Sequence, residues 1–194
     1  WIVGAFQLAY TIFQPLCGWL IDVIGLKLGF MICATLWALA CIAHAGAGSW
    51  LHLAMLRFFM GGAEAAATPA NAKTIGEWFP KSERPIAAGW AGVGFSIGAM
   101  LAPPIIYFAH ASFGWQGAFM FTGALALLWV VLWWAFYQNP EKHPNLSKSE
   151  LEYIKQDNEA PPVKQPFFTA LKTVSKNKRF YGIAIPAFMA EPAW

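Results

Sequence analysis

Long stretches of this chain carry no charge, and that restricts its fold more than any other feature. Residues 1–21 hold none of Asp, Glu, Lys or Arg. Between Leu28 and Ala72 there are two, Arg57 and Glu64, and from Pro85 to Pro140 there are none in 56 residues. A helix that crosses a bilayer needs about 20 mainly apolar residues, so the three windows have room for one, two and two spans. The dividing breakers are Ala45-Gly-Ala-Gly-Ser49 and Ala111-Ser-Phe-Gly114. The expected spans are 1–21, 28–47, 51–72, 86–108 and 117–137, with a further apolar run at 180–194. Fifteen residues make about 22 Å of helix, short of the hydrocarbon core. The last run therefore reads as the truncated start of a helix, and the chain as a piece of a longer membrane protein. Only 12% of residues are charged and 58% are hydrophobic. That excludes a disordered chain, a basic nucleic-acid binder and an ordinary soluble domain. The fold class expected is all-α and membrane-embedded, in contact with the lipid bilayer.

Basic residues orient the spans. Lys27 follows the first, Lys73, Lys81 and Arg84 follow the third, and eight more from Lys142 to Arg179 follow the fifth. Twelve of the thirteen Lys and Arg thus lie on one side, which the positive-inside rule makes cytoplasmic. The exception is Arg57. Residues 138–179 are polar and proline-rich and read as a cytoplasmic central loop, a flexible tether between two halves. Within it Ser147 and Glu150 have the spacing of a capping box, and the basic stretch Lys172 to Arg179 suits anionic lipid.

Arg57 and Glu64 carry the functional argument. A charge at mid-membrane costs roughly 2.5–3.5 kcal/mol on insertion scales, so neither belongs against lipid. They are seven residues apart, about 10 Å along a helix and on one face. Asn71 extends the stripe by another seven. Three polar side chains on one face of an Ala/Gly-rich helix describe the wall of a water-accessible cavity. Arg offers a fixed fork that binds a carboxylate with two hydrogen bonds. A carboxyl in a low-dielectric site can exchange protons near neutral pH. An anion bound at Arg57 neutralises it and favours the protonated form of Glu64. The pair therefore points to transport of an organic anion coupled to protons.

Other polar groups are secondary. Gln7, Tyr10, Thr11 and Gln14 share one side of the first span, and Tyr10 and Gln14 are spaced to hydrogen-bond a sugar-like ligand. Gly94 and Gly98 form G-x-x-x-G, which argues for close helix packing. Pro103-Pro104 should bend that helix near its outer end. His44, His52 and His110 fall at outer helix ends, where solvated or capping roles are expected. Cys17, Cys33 and Cys41 read as packing residues. The chain lacks H-E-x-x-H, G-x-S-x-G and P-loop signatures, so no metal, cofactor or enzymatic role is expected. Rival readings are an intramembrane enzyme using Glu64 as acid or base, and a scaffold or receptor.

The first inner loop reads Gly18-Trp-Leu-Ile-Asp22-Val-Ile-Gly25-Leu-Lys27. It resembles the signature loop between helices 2 and 3 of the major facilitator superfamily, G-x-L-x-D-x-x-G followed by basic residues. Val23 and Leu26 stand where the family commonly has Arg. The resemblance narrows through Leu56-Arg-Phe-Phe-Met-Gly-Gly-Ala-Glu64, Pro69 and Glu77-Trp-Phe-Pro-Lys-Ser-Glu-Arg84 to the anion:cation symporter branch. Tyr10-Thr-Ile-Phe-Gln-Pro15, Ser96-Ile-Gly-Ala-Met-Leu-Ala-Pro-Pro104 and Phe188-Met-Ala-Glu-Pro-Ala-Trp194 bring it closest to bacterial hexuronate transporters. On that likeness the chain covers helices 2–6, the central loop and the start of helix 7, most of one six-helix bundle.

The resemblance implies a bacterial inner-membrane symporter, a monomer when complete, which carries a hexuronate such as glucuronate or galacturonate with protons by alternating access. Aldonates and aromatic or dicarboxylic acids are the alternative substrates. It assigns substrate contact to Tyr10 and Arg57 and proton coupling to Glu64. Phe95 occupies the place of a polar helix 5 residue of relatives, so Ser96 takes that expectation. Gln14 and Asn71 join the substrate set from the residue reading. Asp22 inherits a gate-latching role, with Gly18, Gly25 and Lys27 in the same loop, and with its partner expected in the other half of the transporter. Glu191 is expected near the cavity or at a bend of helix 7.

Overall fold

The computed structural model describes residues 1–157 and 165–190. All regular elements among them are helical, and they fall into two units, residues 1–160 and 161–194.

In the first unit α1 (Ile2–Ile24) runs to Gly25, and α2 (Leu26–Ala43) begins at the next residue. Gly25 makes this corner at φ 95° and ψ 152°, a region that side chains beyond Gly essentially avoid. A single 3₁₀ turn, His44–Gly46, follows α2. Ser49 then caps α3 (Trp50–Glu64) by accepting the His52 N–H at 3.2 Å.

The window read as one span, 51–72, is two helices. α3 stops at Glu64 and α4 (Ala67–Trp78) starts after Ala65 and Ala66. Pro69 is the cause, because it has no N–H for the Ala65 carbonyl and its ring crowds that carbonyl. The backbone tightens instead, with Ala66 N–H bonding Ala63 O at 3.4 Å. Both alanines are fully buried.

α5 (Arg84–Phe136) contains both of the next expected spans. Its dihedrals stay helical through Pro103 and Pro104. The interruption falls at Gly114, φ 70° and ψ −177°, so one glycine replaces the expected turn. Limb 115–136 packs on α2. Phe30 meets Trp129 and Trp133 edge-on at 5.2 and 5.3 Å, and Gly123 lies against Ala38 and Ile42. Limb 84–113 is almost wholly exposed and apolar. Its Gly94 and Gly98 have nothing within 4 Å of a would-be Cβ, so the G-x-x-x-G pair packs on no helix among the described residues. The close glycine contact lies elsewhere: a Cβ on Gly61 would sit 2.4 Å from the Phe6 carbonyl oxygen. This small-residue approach joins α1 to α3, supported by Phe13 edge-on to Phe58 at 6.0 Å and by the Cys17 thiol donating to Gly62 O at 3.4 Å.

By length and composition, Leu26–Gly46 and Arg84–Phe136 are long and apolar enough to cross a membrane. α1 carries the polar side of Gln7, Tyr10, Thr11 and Gln14, and α3 and α4 form a path in two pieces.

The first part of the central loop is docked rather than a free tether. After a 3₁₀ turn at Pro140–Lys142, α6 (Lys148–Ile154) is closed by the Ser147/Glu150 capping box. Tyr153 Oη donates to Glu83 at 2.6 Å, and Asp157 accepts the Lys81 N–H at 2.6 Å. Lys155 pairs with Glu141, and His143 meets Trp78 edge-on at 5.4 Å. The Lys155 ammonium holds the Glu141 carboxyl below the usual carboxylate range. The Ser147 backbone N–H does the same for Glu150, while the bond to Glu83 raises the Tyr153 phenol. In the second unit, α7 (Phe167–Lys176) and α8 (Lys178–Ala190) meet at Asn177, whose side chain accepts the Arg179 N–H at 3.0 Å. Glu191 lies outside the described residues.

Candidate functional site

Arg57 sits in the middle of α3, and Leu53, one turn earlier, shares its face. Both wall an open cleft of about 460 Å³ with His44, Ser49, Trp115 and Phe119. The volume is in the range of small-molecule sites, roughly 300–1,000 Å³. The cleft exists because α2 ends at His44 and α5 breaks at Gly114, so the 44–49 turn and the start of the second α5 limb meet beside α3. Arg57 is partly buried, and among the described residues its guanidinium has no hydrogen bond or ion pair. It lies within electrostatic reach of both Glu64 and His44. An unpaired guanidinium in a cleft with aromatic walls can accept a carboxylate and an apolar ring face together.

Glu64 is the last residue of α3, directly before the break, and is partly buried. Because the helix is interrupted there, the stripe divides. Asn71 on α4 walls a different cavity, of about 390 Å³, with Phe30, Trp37, Thr74, Phe95 and Trp129. Phe95 reaches that cavity, whereas the Ser96 hydroxyl turns back to its own helix and donates to Gly92 O at 3.1 Å. Tyr10 shares a hydrogen bond with Thr68 Oγ1 at 3.0 Å, tying α1 to α4. Gln14 is partly buried and walls neither cavity. The structure thus groups Asn71 with Phe95, while Arg57 lines its own cleft and Glu64 lines neither cavity, within electrostatic reach of Arg57 alone. It leaves Tyr10, Gln14 and Ser96 apart from the Arg57 cleft.

At the inner loop, Asp22 has a partner in this chain: Lys73 Nζ lies 2.6 Å from its carboxylate and donates to Ile21 O at 3.3 Å. The cation therefore serves the carboxylate and the open carbonyls of the α1 C-terminus together. The partner expected in the other half is not needed to neutralise Asp22 here. Gly18 lies against Pro69, 3.5 Å from a would-be Cβ, which seats the loop on the α3–α4 break. Lys27 contributes its carbonyl, which accepts the Trp133 indole N–H at 3.2 Å.

Two features escaped the sequence reading. Lys73 and Asp22 are on the same side by loop charge, so charge bookkeeping across that face could have paired them. His44 was expected to be solvated or capping; it is the C-cap residue of α2, as the capping alternative has it, but it is also fully buried. Its Nδ1 contacts Ala40 O at 2.7 Å, and its ring stacks on Phe119 at 5.0 Å and 17°. Its Nε2 is buried with no hydrogen-bond partner among the described residues. No pattern in the sequence marks that burial, because it arises from packing against a residue 75 positions away.

The chain is 44% identical over its whole length to the hexuronate transporter of Escherichia coli K12, covering 45% of that protein. It is 45% identical to the galacturonate transporter of Dickeya chrysanthemi, again over all of this chain and 56% of that one. Against the D-galactonate transporter of Escherichia coli O6:H1 it is 30% identical over 85% of this chain and 40% of the relative. The chain spans about half the length of the first two relatives. Residues 1–192 match the family model of the Major Facilitator Superfamily, and the chain belongs to that superfamily.

Proposed function

We propose that this chain is part of a secondary transporter of the bacterial inner membrane, not an enzyme, that carries a hexuronate with protons by alternating access. The observation that carries the reading is Arg57: a permanent cation with no ion partner among the described residues, facing an open cleft. Similarity to proteins named for hexuronate and galacturonate supports the substrate class, since a uronate presents a carboxylate for Arg57 and hydroxyls for its surroundings. Glu64, within electrostatic reach of Arg57, is the proton carrier in this reading. Tyr10, Gln14, Asn71 and Ser96 are secondary substrate contacts. Asp22, with Gly18, Gly25 and Lys27, is the inner gate element, and Lys73 belongs to it. The complete protein is read as a monomer with a small organic anion, protons and lipid as its partners, and without nucleic acid.

The test uses the complete gene that encodes this sequence, expressed in bacteria lacking uronate uptake, with labelled galacturonate and glucuronate. Accumulation that collapses with a protonophore supports proton symport. Glu64→Gln then abolishes accumulation while sparing exchange, and Arg57→Ala abolishes both. Inserted protein that accumulates neither sugar acid rejects the substrate reading and moves attention to the galactonate-like acids suggested by the more distant relative. Turnover of the sugar acid without its movement would favour an enzyme.

A further inference from the structure

α7 is a helix that needs a surface. Isolated helices shorter than about 12–15 residues are marginal in water, and α7 has 10 residues and no side-chain cap at its start. Its side chains nevertheless sort cleanly by face. At 3.6 residues per turn, Phe167, Leu171 and Val174 fall along one line, with Ala170 and Phe168 to either side, so the apolar arc is about 160° wide. Lys172, Lys176, Thr169 and Thr173 fill the rest of the circumference. Ser175 falls within the apolar arc, but its hydroxyl is satisfied by donating to Lys172 O at 3.1 Å. The apolar side is open, with Phe168 81% exposed and Leu171 and Val174 each 46% exposed.

Charge and connection say what covers that side. Residues 165–190 hold four cations, Lys172, Lys176, Lys178 and Arg179, and no Asp or Glu. None of the four has an acidic partner among the described residues. Asn177 alone separates α7 from α8, and its extended backbone, φ −83° and ψ 115°, keeps the two from being one continuous helix. α8 opens on Lys178 and Arg179 and turns apolar at Phe180, with Phe180 and Tyr181 both exposed. Basic residues followed by aromatic ones are the composition of a headgroup boundary, so α7 ends one residue from that level.

We infer that α7 lies in the plane of the cytoplasmic membrane surface. Phe168, Leu171 and Val174 enter the boundary between headgroups and acyl chains, and the four cations face the phosphates of anionic lipid. A short two-faced helix of low net hydrophobicity and lysine-rich polar side lies in the interface rather than crossing it. A lipid surface fits better than a protein groove because the charge is uniformly positive, and each cation near an anionic leaflet strengthens binding about fivefold. The sequence marks only a basic stretch at the end of a loose tether; the helix makes it a two-faced anchor that pins the start of α8 to the inner leaflet. None of this depends on which anion the transporter carries.

The test uses the purified complete transporter in nanodiscs, either of phosphatidylcholine mixed with phosphatidylglycerol or of phosphatidylcholine alone. In a cysteine-free background, Phe168→Cys and Thr173→Cys each carry an environment-sensitive fluorophore. The label at 168 is expected to be quenched by brominated lipid and shielded from aqueous iodide, and the label at 173 to behave in the opposite way. A label at 168 open to iodide places the helix in water, and one closed to both quenchers places its apolar side on protein; either result overturns the proposal, as does lipid quenching of both labels. Hydrogen exchange of the 170–176 amides reads the charge contribution without labels. In the mixed membrane, Lys172→Gln/Lys176→Gln should lower protection about 25-fold, and in phosphatidylcholine alone it should change little. Equal protection of wild type and double variant in the mixed membrane refutes the anionic-lipid assignment. An equal loss in both membranes makes the lysines structural and refutes it as well.

Discussion

Replacing Gly61 by Ala tests the packing that fixes the candidate site. A Cβ at this position would stand 2.4 Å from the Phe6 carbonyl oxygen and 3.1 Å from that residue's Cα. Ordinary contact begins near 3.4 Å, so about 1 Å must be found between α1 and α3. The obstacle is helical main chain, and no rotamer change relieves it. Overpacking of this kind costs about 1–3 kcal/mol, and a backbone obstacle places Gly61→Ala in the upper part of that range. Separation also weakens the Phe13–Phe58 edge contact and the thiol bond to Gly62 O farther along the same interface. Gly94→Ala and Gly98→Ala are the controls, because a Cβ there meets nothing within 4 Å. Both should be neutral, or stabilising by up to about 1 kcal/mol through helix propensity. The assay is chemical unfolding of the purified complete protein in detergent, with galacturonate binding as a second readout, since α1 carries Tyr10 and α3 carries Arg57. A Gly61→Ala protein as stable as wild type refutes the close α1–α3 approach. Controls that lose as much as Gly61→Ala would restore the sequence expectation that G-x-x-x-G is a packing site.

Three further outcomes follow from local geometry. Gly25→Ala places a side chain at φ 95° and ψ 152° and should cost about 1–3 kcal/mol in unfolding, while Gly76→Ala, with open space at its Cβ, should cost nothing; equal stability of the two variants rejects the corner geometry. Asp22 and Lys73 should show a coupling of about 0.2–1 kcal/mol in a double-mutant cycle with Asn and Met, small because the carboxylate side chain is 55% exposed; zero coupling removes the pair. Glu141 and Glu150 are both held below the ordinary carboxylate range in the folded state. Their support for the docked α6 is therefore complete above about pH 4.3 and fades as pH falls through the folded values. Hydrogen exchange of the 148–154 amides, corrected for intrinsic rates, should accelerate on acidification below about pH 4, and pH-independent protection contradicts this.

How much of this was legible in the sequence varies with the range of the interaction. Charge-free windows locate the apolar helices, because the cost of a lipid-facing charge acts residue by residue. The Ser147/Glu150 box is legible because a cap is settled within four residues. The break at Ala65–Ala66 is a local consequence of Pro69, but it was hidden inside a run whose hydrophobicity favours an unbroken helix. That single proline divides the Arg57–Glu64–Asn71 stripe, so counting by sevens places Asn71 with residues it does not join. The glycine contacts were not legible at all. Gly61 and Gly94 look alike along the chain, and only the passage of α1 beside α3 gives Gly61 a backbone neighbour. The docking of α6 is equally non-local, since Tyr153 finds Glu83 across 70 residues.

The remaining question for the proposed symport is whether two charges seven residues apart can couple strongly enough to matter. Arg57 and Glu64 stand about 10 Å apart along α3. At an effective dielectric constant near 20, unit charges at that distance interact by about 1.7 kcal/mol. A carboxylate that cancels the Arg57 charge removes most of that interaction, and the linkage is reciprocal: substrate and proton each strengthen the other's binding by about tenfold, and by no more than about twentyfold, through this route. A tenfold coupling biases the order of loading but is far from an obligate lock. Strict symport therefore requires a second device that forbids the half-loaded carrier from reorienting. The break directly after Glu64 is where such a device can act, because α4 is free of the α3 hydrogen-bond ladder and is tied by Lys73 to Asp22 and by Thr68 to Tyr10 on α1. Under the symport reading, protonation of Glu64 removes a charge at the very end of α3, next to that joint. Variants that weaken the Lys73–Asp22 or Tyr10–Thr68 ties should then leak one partner without the other, and in Lys73→Met substrate affinity should stay within about threefold of wild type because no residue read as a substrate contact is altered. Tight coupling retained in Lys73→Met and Tyr10→Phe together would place the lock elsewhere in the transporter.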